Sequence, residues 1–316
     1  MSRYILRRLL LLIPVVLGVT FLTFALIRIV PGDIVTRMMG ATAGNNPEMR
    51  ARILHELGLD RSLVEQYFWW LGRILGGDFG HSFIHGGPVI EQILRHLPVT
   101  LQLAIMSMAI AIIVGMPLGV LSAVRRGTAF DLSARVFSLF GISTPNFFTG
   151  TLIVVFGAIY FPGIPTLGYV PLSEDFWGSL ARMVWPALAL GLGIGAIILR
   201  YTRSSVLEVL GEDYVRTARA KGLSEFAVVI VHALKSALIP IITAIGIWSA
   251  FLVSGAVILE EVFAIPGLGR LVLSAIGNRD YPIIQGTVLF LSLGVAFVIL
   301  IADLLVALVD PRVKLA

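Results

Sequence analysis

The stretch "VTLQLAIMSMAIAIIVGMPLGVL", residues 99–121, contains no aspartate, glutamate, lysine or arginine. About 20 predominantly apolar residues in a helix cross the hydrocarbon core of a bilayer. The apolar positions run on continuously instead of alternating as barrel strands do. A backbone in lipid must satisfy its own hydrogen bonds, which leaves only helices or closed barrels. The stretch therefore reads as a transmembrane helix. Five similar runs lie at 9–29, 136–160, 183–199, 237–259 and 283–309. The expected fold is an all-α polytopic membrane protein with six transmembrane helices. Of the 316 residues, 57 % are hydrophobic and 14 % charged, against about 25 % charged in soluble domains. There is no cysteine, so disulfides, thiolate metal sites and a cysteine nucleophile are excluded. A net charge of +5 is small for a membrane protein with basic inner loops and does not point to nucleic acid.

The first run has a basic start, "RYILRRLL", but its apolar part exceeds a typical signal core. "RIVPGD" follows it where a small-residue cleavage site would stand. It reads as a retained helix. Orientation follows from the short loops, because lysine and arginine accumulate on the cytoplasmic side. One set of loops holds fourteen of them, including Arg7, Arg125, Arg203 and Lys235, while the opposite short loops hold only Arg182, Arg270 and Arg279. Both termini are thereby expected in the cytoplasm. The expected organisation is an N-terminal transmembrane helix (1–30), a helical extracytoplasmic segment (31–98) and a five-helix core (99–316) with a cytoplasmic loop at 201–236.

The outer segment carries its own helix signals. Asn46 can cap a helix that has Pro47 at its first position and Gly58 as its stop. Ser62 and Glu65 form a capping-box pattern, ahead of the aromatic cluster Tyr67, Phe68, Trp69 and Trp70 and a stop at Gly76–Gly77. That cluster suits either anchoring among lipid headgroups or docking of an external partner. A third short helix is expected over 88–97.

Against this apolar background, "EDYVRTARAKGLSEF" (212–226) stands out, with three cations, three acids and one central glycine. Residues 212–221 favour a short helix, for which Gly222 is a natural C-terminal stop. "SEFAVVIVHALKSALIP" then leads back into the membrane. Read alone, the segment is a solvated loop helix or a projection gripped by another protein.

The segment resembles the cytoplasmic loop of membrane subunits of ATP-binding-cassette importers, within the dipeptide/oligopeptide/nickel permease group. The resemblance extends over nearly the whole chain, through "RYILRRLL", "VPGD", "LGLDRSLVEQYFWWL", "GDFGHS", "PVTLQLA", "FAIPGLGRLVLSAIGNRDYPIIQG" and the terminal "DPRV". It implies the type I importer transmembrane fold and a permease in a bacterial inner membrane that imports di- or oligopeptides or related solutes. It also implies a coupling helix seated in a groove of an ATP-binding subunit, with Tyr214, Arg216, Thr217, Ala218, Arg219, Lys221, Gly222 and Leu223 as its contact residues. The general importer loop opens on Glu-Ala-Ala. Aligned on Gly222, this chain has Arg216, Thr217 and Ala218 there, so no role for a glutamate at that point transfers.

The implied partners are a homologous second permease forming a heterodimer, two ATP-binding subunits, an extracytoplasmic solute-binding protein and membrane lipid. The chain has no G-x-x-x-x-G-K-[ST] motif. It is thus expected to hold no cofactor, with ATP and magnesium bound by the partner subunits, and to be no enzyme.

Polar groups inside spans face protein or water. In "GISTPNFFTGT" the candidates for a translocation path are Ser143, Thr144, Asn146 and Thr149, with Trp248 and Ser249 on the fifth span. Interhelical hydrogen bonding and a proline kink explain the same residues equally well. "GLGIGA" lies within a span with no preceding strand, so Gly191 and Gly195, like Gly115 and Gly119, suit close helix packing better than nucleotide binding. His81 and His85 have the spacing of a metal pair without an obvious third ligand. The alternative reading, an ion-coupled secondary transporter or channel working alone, calls for ionisable residues at mid-membrane and inverted repeats, of which the sequence has little.

Overall fold

A computed structural model describes residues 2–29, 47–56, 58–82, 84 and 86–309. They form α1 (Ser2–Ile29), α2 (Pro47–Glu56), α3 (Leu63–Leu75), α4 (Val89–Val124), α5 (Ala129–Ser143), α6 (Asn146–Tyr160), α7 (Phe176–Leu210), α8 (Asp213–Ala220), α9 (Leu234–Val262), α10 (Leu268–Asn278) and α11 (Tyr281–Val309). A helical turn, Glu225–Ala227, and a π-helical stretch, Val228–Ala233, connect α8 to α9. Asn46, His85, "VPGD" and the terminal "DPRV" lie outside the described residues.

Among the described residues, Val89–Val124, Phe176–Leu210, Glu225–Leu252 and Tyr281–Val306 are long and apolar enough to cross a bilayer. The single span expected at 136–160 is instead two helices, α5 and α6, meeting at 97°. The proline ring disfavours helical backbone at the residue before it, and Thr144 is extended at φ −90°, ψ 122°. Counted as one broken span, the pair is the fifth. The apolar stretch of α1, Leu10–Ala25, is shorter than these. The separate helix expected over 88–97 does not end there: α4 runs through Pro98 as one helix of 36 residues, as prolines in apolar helices often allow.

By contacts the chain divides into two compact units. One comprises residues 1–5, 99–266 and 295–316, the other 6–98 and 267–294. The second unit contains the outer helices. Its capping box forms as the sequence predicts: Glu65 N–H donates to Ser62 Oγ at 3.4 Å, and Ser62 N–H donates to the Glu65 carboxylate at 3.0 Å. The Ser62 hydroxyl, which donates to the Glu65 carboxylate at 2.8 Å, and then the Ser62 N–H hold the Glu65 carboxyl below its usual range. The aromatic cluster divides its labour. Tyr67 packs edge-on against Phe21 and Phe24 of α1, and its hydroxyl pairs with Thr20 Oγ1 at 3.0 Å. Trp69 faces the guanidinium groups of Arg61 and Arg73, 5.0 and 4.7 Å from its ring centre, and closes over Gly58, whose φ is +65°. Such cation–π contacts fix a ring in place. Phe68 stays exposed.

The first unit is organised around α7. In α7, 67 % of the apolar window is buried, so other helices and not lipid surround it. Glycines bring α4 and α7 into backbone contact, as the sequence suggests. An added Cβ on Gly191 would stand 2.6 Å from the Ser107 carbonyl oxygen, and one on Gly119 2.7 Å from that of Leu199. Gly195 meets Ala111 in the same way, and a side chain on Gly115 would collide with Gly195. Without a hydrophobic force between helices in lipid, close approach and dispersion hold such pairs together. Leu103, Met183, Leu190, Ile198 and Leu259 fill the core around them.

Candidate functional site

The polar segment folds into α8, eight residues long, with Val215 and Ala218 as its buried positions. These lie three residues apart, hence on one helix face, and pack on Val228 of the π-helical stretch. Ala218 is 6 % exposed. Its small side chain thus serves the seating of the helix on its own chain, not an outside contact. Gly222 has φ +79°, a conformation that L side chains rarely adopt. Its N–H donates to Arg219 O at 2.9 Å and the Leu223 N–H to Ala218 O at 3.5 Å, which together form a Schellman stop. Ser224 caps the next turn.

The expected cations are not equally available. Arg219 donates to both Glu225 oxygens, at 2.8 and 3.3 Å, and so clamps the Gly222 corner. Arg216 pairs with Asp213 at 3.2 Å on the open surface. Among the described residues Lys221 has no ion-pair partner. Tyr214 is 44 % exposed, and its hydroxyl donates to Ser236 Oγ at 2.9 Å, which ties the near end of α8 to the base of α9. Thr217 and Leu223 are exposed. One surface residue escaped sequence reasoning. Phe226 is 76 % exposed, an aromatic within the polar stretch beside Leu223. Its place at the end of a stretch with three acids and three cations was the available signal.

The candidate path residues separate by what their side chains do. Thr144, Asn146 and Thr149 line one cavity of about 180 Å³, bounded by Phe140 of α5 and by Ala189 and Gly193 of α7. The elbow creates it, because Thr144 and Asn146 flank Pro145. Asn146 sits between two glycines: an added Cβ on Gly193 would stand 2.5 Å from its Oδ1, and one on Gly255 3.8 Å from its Nδ2. Among the described residues no neighbour takes its amide. Ser143 is exposed outside this cavity. Ser249 donates back to Ile245 O at 2.7 Å, and Trp248 packs against the core. The structure therefore brings together three of the six path candidates. If this cavity lies on a solute path, Asn146→Leu removes one polar contact to the solute, worth about a fivefold loss of uptake. Initial-rate uptake measurements check this, and unchanged kinetics assign Asn146 to packing.

A further polar node was not predicted. Asp131, 1 % exposed, accepts from Arg203 Nε at 2.7 Å and Nη2 at 3.0 Å, from Ser122 Oγ at 2.7 Å and from the Gly127 N–H at 3.0 Å. This single carboxylate joins α4, the following turn, α5 and α7. From the sequence Arg203 is only one of many loop cations, and nothing local links it to an acid 72 residues away.

The chain matches two family models. Residues 115–315 match the binding-protein-dependent transport system inner membrane component, and residues 1–104 match the N-terminal part of the same system's membrane component. It is 40 % identical over 337 residues to the dipeptide transport system permease DppB of Escherichia coli strain K12, covering 99 % of both chains. It is 40 % identical over 334 residues to the di/tripeptide transport system permease DppB of Pseudomonas aeruginosa strain UCBPP-PA14, again with 99 % of both covered. Its fold is similar to a chain of the MetNI methionine ABC transporter in an inward-facing conformation, with a TM-score of 0.55 and 21 % identity over 70 % of this chain and 97 % of that one.

Proposed function

This chain belongs to the family of binding-protein-dependent transport system inner membrane components and is a transmembrane permease subunit of an ABC importer; we infer that it carries di- or oligopeptides or related solutes. The observation that supports this substrate class is the 40 % identity to a dipeptide permease, sustained over 99 % of both chains. The polypeptide is a multi-pass membrane protein that works with ATP-binding subunits and a partner permease. In our reading the partner permease is a related chain forming a heterodimer. Two ATP-binding subunits hold ATP and magnesium, and an external binding protein delivers the solute. Both termini and α8 face the cytoplasm.

The mechanism then follows from stiffness. A helix eight residues long is marginal in isolation, but α8 is seated by Val215 and Ala218, stopped at Gly222 and clamped by Arg219–Glu225. A push from an ATP-binding subunit on Tyr214, Arg216, Thr217, Lys221, Leu223 and Phe226 therefore moves the whole corner. Tyr214–Ser236 and the continuous run into α9 carry that movement toward the core beside the Asn146 cavity.

The test is reconstitution. ATP-binding chains are expected to copurify, and uptake is expected to be abolished by vanadate. Uptake by this polypeptide alone in ATP-free liposomes overturns the reading. Because the chain has no cysteine, K221C can be labelled alone with an impermeant maleimide. Labelling in inside-out vesicles but not in intact cells supports the orientation, and the opposite pattern reverses it.

A further inference from the structure

A cavity of about 430 Å³ opens between α5 and α7, lined by Arg135, Leu139 and Ile142 of α5 and by Arg200, Arg203 and Ser204 of α7. Its charge does not balance. An ionised carboxylate offers about four lone-pair sites. Asp131 has filled them, with two donors on each oxygen, from Arg203 Nε and Ser122 and from Arg203 Nη2 and Gly127. Arg203 is thereby neutralised. Arg135 Nε stands 3.7 Å from the same Asp131 carboxylate, within ion-pair reach though beyond hydrogen-bond range, so one carboxylate serves two guanidinium groups. Arg200 lies 6.0 Å from the ring of Tyr201, and among the described residues it has no carboxylate partner. Three guanidinium groups thus line one cavity against a single carboxylate, Asp131, an excess of two positive charges among the described residues.

Beyond Arg135, the α5 wall of the cavity is apolar and open. Leu139 is 65 % exposed and Ile142 38 % exposed, on α5, half of a broken span. A ligand that fits has a compact anion at one end and hydrocarbon at the other. We propose that this cavity binds an anionic phospholipid, its phosphodiester held by Arg135, Arg200 and the Ser204 hydroxyl and its acyl chain lying along Leu139 and Ile142. Guanidinium forks match phosphate oxygens in geometry, and basic pockets between helices suit acidic headgroups. Assignment to the inner leaflet rests on the orientation given under Proposed function. The binding chemistry does not depend on it.

The experiment uses the assembled transporter, purified from membranes containing phosphatidylglycerol and examined by native mass spectrometry. The parent complex is expected to retain phosphatidylglycerol, and the R135Q/R200Q complex to bind it about tenfold more weakly in titrations from phosphatidylcholine nanodiscs. R135K/R200K is expected to keep most of the affinity, which separates charge from folding, and copurifying ATP-binding subunits report assembly. Equal retention by parent and R135Q/R200Q overturns the proposal. So does competition by inorganic phosphate or a dipeptide at the affinity of the lipid, or a photocrosslink from position 139 to the partner permease instead of lipid. K221C labelling reports orientation separately, so a wrong leaflet and an absent lipid site give different results.

Discussion

Ala218→Glu is expected to abolish solute uptake while the chain still inserts in the membrane. Ala218 is buried in an apolar cluster with Val215 and Val228, which offers a carboxylate no polar partner. Burying an unpaired charge costs at least about 3 kcal/mol, and an eight-residue helix has no independent stability to offset it. The helix should leave its seat and lose the proposed contact with an ATP-binding subunit. Arg216→Ala removes an exposed pair, with the two side chains 71 % and 94 % exposed, and should be near-neutral for folding. Any effect it has belongs to the subunit contact. Gly222→Trp sits between these cases, because φ +79° is strained for any side chain. Uptake, ATP hydrolysis and copurification are the measurements. An Ala218→Glu complex that assembles and transports normally removes α8 from the coupling route.

Asp131→Asn is expected to be the most destabilising conservative change in the first unit, by about 3–5 kcal/mol, the cost of breaking a buried ion pair from one side. The amide keeps the shape but turns an N–H donor toward groups that are themselves donors. Arg203, whose side chain is 20 % exposed, keeps a charge with nothing to balance it, and the Gly127 N–H loses a carboxylate acceptor. The turn at 125–128 should then open, visible as faster proteolysis there and a lower melting temperature of the solubilised complex. Adding Arg203→Met removes the second charge and should recover a large part of the loss, because coupled neighbours are not additive. A single variant as stable as the parent, or a double variant no better than the single, refutes this account.

Both predictions concern features of unequal visibility. The Gly222 stop, the Ser62–Glu65 box and the Pro47 start were legible because each depends on residues within one turn. The glycine contacts of α4 and α7 were legible too, since small residues at helical spacing have few other uses in lipid. The elbow was only partly so. "STPN" announces a break, but a proline permits anything from a mild kink to the observed 97°, and packing chooses. Ala218 misled for a related reason. An amphipathic helix announces that it has two faces without saying which meets its own chain and which meets a partner.

The sequence by itself determined that this is a lipid-embedded helical protein with a polar, glycine-stopped projection, and its ordered motifs marked the importer family. Hydropathy, caps and stops act over a few residues, so a linear reading captures them. Only the tertiary structure decided that Asp131 meets Arg203, that Thr144, Asn146 and Thr149 share a cavity while Ser249 donates back to its own helix, and that three guanidinium groups line a second cavity against one carboxylate. Those outcomes depend on which helices pack side by side, and residues far apart in the chain meet only once the backbone has folded.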